Sequence, residues 1–344
     1  NVTCNGGSDG SATASATGGT GAYSYAWSNG ETTAIASNLT AGTHTVTITD
    51  ANGCEDTESV TITEPAEVTF TTVVTNVDCH GASTGSIAVS ASGGDGSYMY
   101  SKDGGSSFQA GSTFTSLSAG SYDIQVKDGN NCISIVVSVT VTEPSALTAV
   151  ASGTNLSCNL SGDGTVSVTA SGGTGAYSYN WENAASAGTS IGTTASLSGL
   201  AAGTYNVTVT DANSCEATAS VTITEPSAMS STASSTGTSC NGGSDGSVSV
   251  TAGGGTPGYT YNWENAASAG TSVGVTATVT GLGAGTYNVT ITDSNGCEKT
   301  DQATVSEPSA VAASIGSVSN VTCNGGSDGS ATASATGGTG AYSY

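Results

Sequence analysis

The sequence predicts an all-β protein built as a tandem array of small β-sandwich domains. Three observations predict this fold class. The chain repeats itself about every eighty residues, each repeat contains runs in which apolar and polar residues alternate, and glycine-rich turns separate those runs. No stretch of the 344 residues keeps the 3.6-residue apolar period of a stable helix.

Internal repetition sets the predicted domain organisation. Residues 1–25 recur unchanged as residues 320–344. Turns that begin with a cysteine recur once in each repeat, at Cys4, Cys79, Cys158, Cys240 and Cys323. A Glu-Pro pair follows the last predicted strand of each repeat, and proline lacks the N–H that would continue a ladder. We therefore expect an excerpt of a longer array, with domains at 1–64 (first strand missing), 65–143, 144–225, 226–307 and 308–344 (the start of a fifth); these ranges are called the first to fifth repeats below.

The third repeat illustrates the strand pattern. Residues 166–170, 177–181, 205–210 and 217–224 alternate β-branched or aromatic residues with serine, threonine or asparagine. This period of two is typical of strands that bury one face. Six or seven short strands in about eighty residues favour a sandwich over a barrel or a solenoid.

Charge and composition exclude several classes of protein. The chain has 26 acidic residues, three lysines and no arginine, so its net charge is -23. That charge argues against nucleic acid and against anionic membrane surfaces as partners, because both require clustered cations. No apolar run is long enough to span a membrane. Nine regularly placed cysteines indicate an oxidising, extracellular location.

Each complete repeat offers two cysteines that could staple its small core. A bridge within one repeat would close a loop of fifty-odd residues, which contributes roughly 4 kcal/mol in the chain-entropy model. The two cysteines share one end of a sandwich only if an even number of strands separates them. The sequence allows four or five strands, so the parity stays open. The predicted pairs are Cys4–Cys54, Cys79–Cys132, Cys158–Cys215 and Cys240–Cys297, with Cys323 left over.

A second motif recurs in all four complete repeats, at 39–54, 117–132, 200–215 and 282–297. A leucine precedes a tight glycine turn, and a tyrosine lies near the start of the strand that follows. This arrangement resembles the tyrosine corner of immunoglobulin-like sandwiches, in which the phenol caps backbone groups at a crossover. The predicted corner residues are Tyr122, Tyr205 and Tyr287. His44 replaces the tyrosine in the first repeat, which leaves the corner open there.

The combined motifs resemble a known family. CNGGSDG (4–10), GGTGAYSYAW (18–27), AGTHTVTITDANGC (41–54) and TITEP (61–65) together resemble the SprB-type repeat of large cell-surface gliding adhesins in Bacteroidota. The resemblance covers essentially the whole chain. It implies a secreted, filamentous protein that is attached to the cell exterior, driven along it by the gliding motor, and able to grip the substratum. The second repeat departs most, with CHGASTG for CNGGSDG and Lys102 in place of Trp27.

Two features have competing interpretations. The stripe of Tyr177, Tyr179 and Trp181 is interpreted as core packing, and an exposed platform for sugar rings is the alternative. The Asp-x-Asn turns are interpreted as hairpin chemistry, and calcium binding together with the junction glutamates is the alternative. The turns in question are Asp50/Asn52, Asp128/Asn130, Asp211/Asn213 and Asp293/Asn295.

Catalysis and cofactor chemistry are not expected. Only two histidines are present, arginine is absent, and no Ser/His/Asp arrangement repeats. The leading hypothesis is the stalk of a giant cell-surface adhesin, in which disulfide-stapled immunoglobulin-like domains with proline-stiffened junctions form an extended, semi-rigid rod. The expected partners are neighbouring repeats of the same long chain, with surface polysaccharide or the substratum as further candidates. The alternatives are a carbohydrate-binding array that acts by avidity and a self-assembling extracellular fibre.

Overall fold

The computed structural model describes all 344 residues and confirms the predicted all-β tandem array. It contains 27 strands and two helices, the three-residue 3-10 turns Ala184–Ser186 and Ala266–Ser268. Neither helix is long and apolar enough to cross a membrane. The chain divides into two compact units. The first comprises residues 1–148, 170–177 and 209–217, and the second comprises 149–169, 178–208 and 218–344.

The first unit contains the first and second repeats. The first repeat has five strands: β1 (Gly10–Thr13), β2 (Ser24–Trp27), β3 (Ile35–Leu39), β4 (Gly42–Thr49) and β5 (Glu55–Ile62). They form an antiparallel pair β1-β3 and a sheet in the order β2-β4-β5. The second repeat has six strands: β6 (Thr69–Thr75), β7 (Gly85–Ser92), β8 (Tyr98–Ser101), β9 (Thr113–Leu117), β10 (Gly120–Asp128) and β11 (Val137–Val141). They form sheets in the orders β6-β7-β9 and β11-β10-β8.

The second unit contains most of the third repeat and all that follows. The third repeat has seven strands: β12 (Thr148–Thr154), β13 (Gly164–Ser171), β14 (Ser178–Asn183), β15 (Ser190–Gly192), β16 (Ser196–Leu200), β17 (Gly203–Thr210) and β18 (Glu216–Ile223). Seven more form the fourth repeat: β19 (Ser230–Thr236), β20 (Gly246–Gly253), β21 (Thr260–Asn265), β22 (Ser272–Gly274), β23 (Thr278–Leu282), β24 (Gly285–Thr292) and β25 (Glu298–Val305). The fifth repeat has the antiparallel pair β26 (Ala312–Ser319) and β27 (Ser330–Thr336).

The strand orders are those of an immunoglobulin-like sandwich. In the fourth repeat, β19-β20-β23 faces β22-β21-β24-β25, which corresponds to an A-B-E sheet and a C′-C-F-G sheet. The core is formed by the inward residues of both sheets, as period-two alternation requires. Trp263, Val289 and Ile291 are fully buried there. The third repeat has the same strand order.

The tryptophans belong to these cores. Trp181 and Trp263 are fully buried, and Trp27 is 6% exposed. Each indole N–H donates to a threonine carbonyl, at 2.9 Å for Trp27 and Thr33 and at 3.1 Å for Trp181 and Thr194. A sugar ring cannot stack on a buried indole, so the platform hypothesis is wrong for the tryptophans.

A side chain near the start of each F strand caps the preceding turn. The phenol of Tyr205 donates to the carbonyl of Ala201 at 2.8 Å, and that of Tyr287 donates to Gly283 at 2.9 Å. Tyr122 makes the same bond to Ser118 at 2.9 Å. His44 Nε2 lies 2.9 Å from the carbonyl of Thr40, so the imidazole takes the position of the phenol in the first repeat.

Candidate functional site at the repeat junctions

Disulfides join consecutive repeats. The bridges are Cys4–Cys132, Cys79–Cys215 and Cys158–Cys297, with Cα–Cα distances of 5.5, 5.7 and 5.7 Å. Each links the first cysteine of one repeat to the second cysteine of the next repeat. The predicted pairing within repeats (Cys4–Cys54, Cys79–Cys132, Cys158–Cys215, Cys240–Cys297) is therefore wrong. Cys54, Cys240 and Cys323 are exposed free thiols.

The directions of the strands explain why the cysteines do not pair within a repeat. In the fourth repeat, five strands, β20 to β24, lie between Cys240 and Cys297. Because neighbouring strands in each sheet are antiparallel, an odd number places the two cysteines at opposite ends of the sandwich. The second repeat has four strands between Cys79 and Cys132, and there the segment that corresponds to β22 runs antiparallel to β8 as an isolated bridge between Tyr100 and Gln109. The first cysteine lies at the end where the last strand finishes: Thr238 N–H donates to the carbonyl of Ser306 at 2.9 Å. Only a cysteine of another repeat can reach it there.

The Glu-Pro pair holds the turn that carries this first cysteine. In the fourth repeat, Gly242 N–H donates to Glu307 Oε2 at 2.7 Å, and Asn241 Nδ2 donates to the carbonyl of Pro308 at 3.1 Å. The carboxylate of the pair makes the equivalent bond in the other three repeats: Gly6 to Glu64 at 2.6 Å, Gly81 to Glu143 at 2.5 Å and Leu160 to Glu225 at 2.7 Å. Sequence reasoning assigned the pair to ending the ladder and stiffening the junction, considered its glutamates only as calcium ligands, and missed this hydrogen bond.

The receiving end of each repeat is organised by an aspartate. Asp293 Oδ1 accepts the N–H groups of Asn295 and Cys297, each at 2.9 Å, and its Oδ2 accepts the N–H of Thr256 at 2.8 Å. The backbone hydrogen bond from Thr256 is the main cause that lowers the pKa of Asp293. Both oxygens are therefore committed to N–H donors, which is the hairpin interpretation of these turns. The chain contains no group of three or more metal-ligating side chains.

One hydrogen bond crosses the third junction beside the bridge, and a second, within the fourth repeat, ties the glycine loop to the residues just after the Glu-Pro pair. Asn295 Nδ2 donates across the junction to the carbonyl of Ser157 at 2.9 Å, and Gly255 N–H donates to the carbonyl of Ser227 at 2.8 Å. The second junction repeats this pattern, with Asn213 Nδ2 to Asp78 at 2.9 Å and Gly173 N–H to Ser145 at 2.8 Å. The asparagine of the Asp-x-Asn turn therefore recognises the preceding repeat.

Tyrosines brace the glycine loop at the receiving end. The phenol of Tyr259 donates to the carbonyl of Gly254 at 2.6 Å, and Tyr98 and Tyr177 make the same bond to Gly93 and Gly172. Gly254 has φ +70°, and an added Cβ would lie 2.0 Å from the carbonyl oxygen of Ala228. Sequence reasoning placed Tyr177 in the aromatic stripe and missed the brace. The recurring spacing of five residues between glycine and tyrosine is the signal that could have found it.

The sequence of these repeats matches a protein-family model. The SprB repeat model matches residues 1–32, 71–107, 150–186, 232–268 and 315–344, which together cover half of the chain. The chain belongs to the SprB repeat family. Each match to an SprB repeat includes the turn with the first cysteine and the glycine loop, whereas the second cysteines of the bridges, Cys132, Cys215 and Cys297, lie outside the matched ranges.

Solved structures with tandem domains are similar to these SprB repeats at low sequence identity. The eight N-terminal Ig domains of Down Syndrome Cell Adhesion Molecule are 9% identical, with a TM-score of 0.28 over 88% of this chain and 58% of that one. Domains 1–6 of the surface layer protein SbsC are 15% identical, with a TM-score of 0.27 over 91% and 58%. The I9–I11 tandem from titin is 12% identical, with a TM-score of 0.30 over 68% and 99%. No match was found among curated protein sequences.

The chemistry of the SprB junctions is covalent and structural. Six of the nine cysteines are oxidised, and disulfides of this kind persist outside the reducing cytosol, which indicates an extracellular protein. The bridges fix neighbouring repeats to one another, and the carboxylate, amide and phenol groups described above fix the turns that carry the bridges.

Proposed function

We propose that this chain is part of the load-bearing stalk of a large cell-surface adhesin, in which covalently clipped SprB repeats transmit tension during surface attachment and gliding. Membership of the SprB family supports the assignment to a cell-surface adhesin. The observation that carries the proposal is that the disulfides overlap along the sequence. Each bridge starts in one repeat, before the bridge from the preceding repeat has ended.

The overlap shortens the backbone that tension can stretch. The chain between Cys4 and Cys297, fully extended, would reach on the order of 1,000 Å. With the bridges intact, the shortest covalent path crosses from Cys4 to Cys132, follows the chain to Cys158 and crosses to Cys297. The segment from Cys132 to Cys158 can extend to roughly 90 Å. A stalk built this way resists lengthening even if a sandwich loses its fold.

The bridges also act on the unfolded chain. They close loops with sequence separations of 128, 136 and 139 residues. A single loop of this length contributes about 5 kcal/mol in the chain-entropy model. Overlapping loops are not independent, so the three contributions do not add in full. The acidic surface, with a net charge of -23, keeps such a chain soluble.

The carbohydrate-binding alternative has lost its principal support. Exposed tyrosine or tryptophan stripes would support it, and the three tryptophans lie in the cores. A polysaccharide or substratum partner for the parent protein stays a proposal.

The test uses the bacterium that encodes the protein. Beads coated with an antibody against this chain are applied to intact, gliding cells. We expect surface labelling without permeabilisation, and we expect the beads to travel along the cell. Labelling only after permeabilisation, or beads that bind and never move on gliding cells, would contradict the proposed role.

A further inference from the structure

The first junction has a pocket whose exposed rim is apolar. The pocket lies beside the Cys4–Cys132 bridge and has a volume of about 290 Å³. Its apolar lining consists of Pro65, Ala66, Val68, Ile133 and the two bridged cysteines. Val68 is buried and Ile133 is 62% exposed, so apolar side chains extend from the core of the second repeat to its surface. Ile135 and Val136, which follow closely in the sequence, are 72% and 47% exposed.

The other two junctions have a pocket at the same place, with an acidic residue at the position of Ile133. The residue after the second cysteine is Glu216 at the second junction and Glu298 at the third, and both side chains are exposed. The fold therefore does not require an apolar residue at this position. A run of exposed apolar side chains on an otherwise acidic protein is typical of an interaction site.

A lysine without an anionic partner borders the pocket. Lys127 lies opposite Ile133 in an antiparallel bridge, and its Nζ is 3.4 Å from Oδ1 of Asn131, which also lines the pocket. The same Nζ lies 4.6 Å from the centre of the Phe108 ring. No carboxylate lies within salt-bridge distance of this ammonium, although the chain has 26 acidic residues. The pocket therefore favours a ligand that combines an apolar group with negative charge.

The third repeat presents such an apolar group at a strained position. Leu160 is 82% exposed and has φ +59°, a conformation that residues other than glycine rarely adopt. The equivalent residues of the first, second and fourth repeats are glycines with φ between +71° and +74°, namely Gly6, Gly81 and Gly242. Leucine adds backbone strain there, and a side chain so exposed gains little from packing within its own chain.

Two carboxylates flank Leu160. Its N–H donates to Glu225 Oε2 at 2.7 Å. Asp163 follows in the same turn and accepts the N–H of Ser157 at 3.1 Å. The hydroxyls of Ser157 and Ser161 lower the pKa of Asp163 to about 2, so this carboxylate is ionised at neutral pH. The turn thus presents an apolar side chain between negative charges, which complements an apolar pocket bordered by a lysine.

We propose that Leu160 of one copy of this chain inserts into the first-junction pocket of a second copy, beside Ile133, with its flanking carboxylates near Lys127. An apolar cavity of about 150 Å³ already holds a benzene molecule, so the pocket has room for a leucine side chain. The gain is the burial of Leu160 and Ile133 against each other. Each copy offers one leucine and one pocket, so the contact is heterologous. This inference is independent of the stalk proposal, since a stalk can bear tension whether or not copies associate.

The first test maps the contact directly. A photoreactive benzoylphenylalanine replaces Leu160 in the full chain, and the free thiols are alkylated so that no disulfide can form between copies. Isotopically light and heavy chains are mixed and irradiated. We expect cross-links between light and heavy chains that map to residues 65–68 or 131–133. Cross-links confined to single chains, or cross-links to other segments of the second copy, would overturn the proposal.

The second test uses residues that other repeats already have at these positions. Leu160→Gly introduces the glycine of the first, second and fourth repeats, and Ile133→Glu introduces the glutamate of the other junctions. We expect each to weaken the dimer at least about tenfold in sedimentation equilibrium of the alkylated chain. Lys127→Thr, which introduces the threonine of the other repeats, should weaken it up to about fivefold at low salt and less at high salt.

Matched controls separate this contact from misfolding and from general stickiness. Leu160→Gly should melt no lower than the unsubstituted chain, because relief of the left-handed conformation offsets the entropy that glycine adds to the unfolded chain. Val150→Ser changes another exposed apolar residue of the third repeat, 67% exposed on β12, and should leave the dimer unchanged. A monomer at every concentration, a dimer that Leu160→Gly or Ile133→Glu leaves unchanged, or equal weakening by Val150→Ser would overturn the proposal.

Discussion

The overlapping disulfides make a quantitative prediction for a chain pulled from its two ends. With the bridges intact, tension follows the chain from Asn1 to Cys4, from Cys132 to Cys158, and from Cys297 to Tyr344. These three segments have a combined extended length of roughly 270 Å, whereas the reduced chain reaches roughly 1,200 Å.

Single-molecule force spectroscopy measures these lengths directly. Handles attached at Asn1 and Tyr344 are pulled with and without a reductant. The oxidised chain should stop lengthening at roughly 270 Å, even at forces that unfold the sandwiches. The reduced chain should lengthen in successive steps, each of which releases one repeat.

Two disulfide variants provide a matched pair. Removing the middle bridge with C79S/C215S leaves the shortest path as it was, so the limiting length should not change. Removing the third bridge with C158S/C297S forces tension through Cys79–Cys215. The shortest path then crosses from Cys4 to Cys132, returns along the chain to Cys79, crosses to Cys215 and continues to Tyr344. This path extends to roughly 650 Å.

The result that refutes this reasoning is equally specific. Bridges confined to single repeats would leave a path that extends to roughly 440 Å, and C79S/C215S could not be silent. A limiting length of roughly 440 Å for the oxidised chain, or a longer limit for C79S/C215S than for the unsubstituted chain, would show that the bridges do not overlap.

Three further predictions concern the folded state. The hydroxyls of Ser157 and Ser161 lower the pKa of Asp163 from 3.8 to about 2. Because the folded-state pKa is below the unfolded one, the stability from this carboxylate is present above about pH 4 and is lost as pH falls toward 2. Thermal melts of D163N should therefore show a smaller loss of stability over that range, and equal losses would contradict the prediction. Tyr287→Phe removes the hydrogen bond to Gly283 and should cost about 1 kcal/mol in denaturant unfolding, while Y344F, at an 80% exposed position, should cost nothing measurable. Gly254→Ala should destabilise the chain more than Gly270→Ala in thermal unfolding. Both glycines have positive φ, but only a Cβ at position 254 would clash with a carbonyl oxygen. Equal effects would show that the close approach of Gly254 to Ala228 does not constrain this position.

The strands were predictable because alternation reports directly on which face of a strand is buried. Residues 166–170 and 205–210 fall in β13 and β17 for that reason. The tyrosine corner was also within reach, since the leucine, the glycine turn and Tyr205 all lie within a few residues of one another. Patterns of this kind can be predicted because all the residues that form the structure lie close together in the sequence.

The pairing of the cysteines was not predictable, because it depended on the parity of the strand count. The deciding strand, β22, has only three residues, Ser272–Gly274, and follows a segment with no apolar alternation. In the fourth repeat this strand raises the count from four to five. In the second repeat the corresponding segment forms only the isolated antiparallel bridge between Tyr100 and Gln109, yet the second cysteine again lies at the far end of the sandwich. The aromatic stripe was ambiguous for a similar reason. Alternation places Tyr177 and Trp181 on one face, yet it does not report that the phenol reaches back to Gly172.

Peptide mapping of the non-reduced chain after digestion at acidic residues tests the central claim most directly, since trypsin has only three lysines to cleave. The claim is that disulfide bonds join neighbouring repeats to one another. The account predicts linked peptides that contain Cys4 with Cys132, Cys79 with Cys215, and Cys158 with Cys297. Linked peptides that contain Cys79 with Cys132, or Cys158 with Cys215, would contradict it.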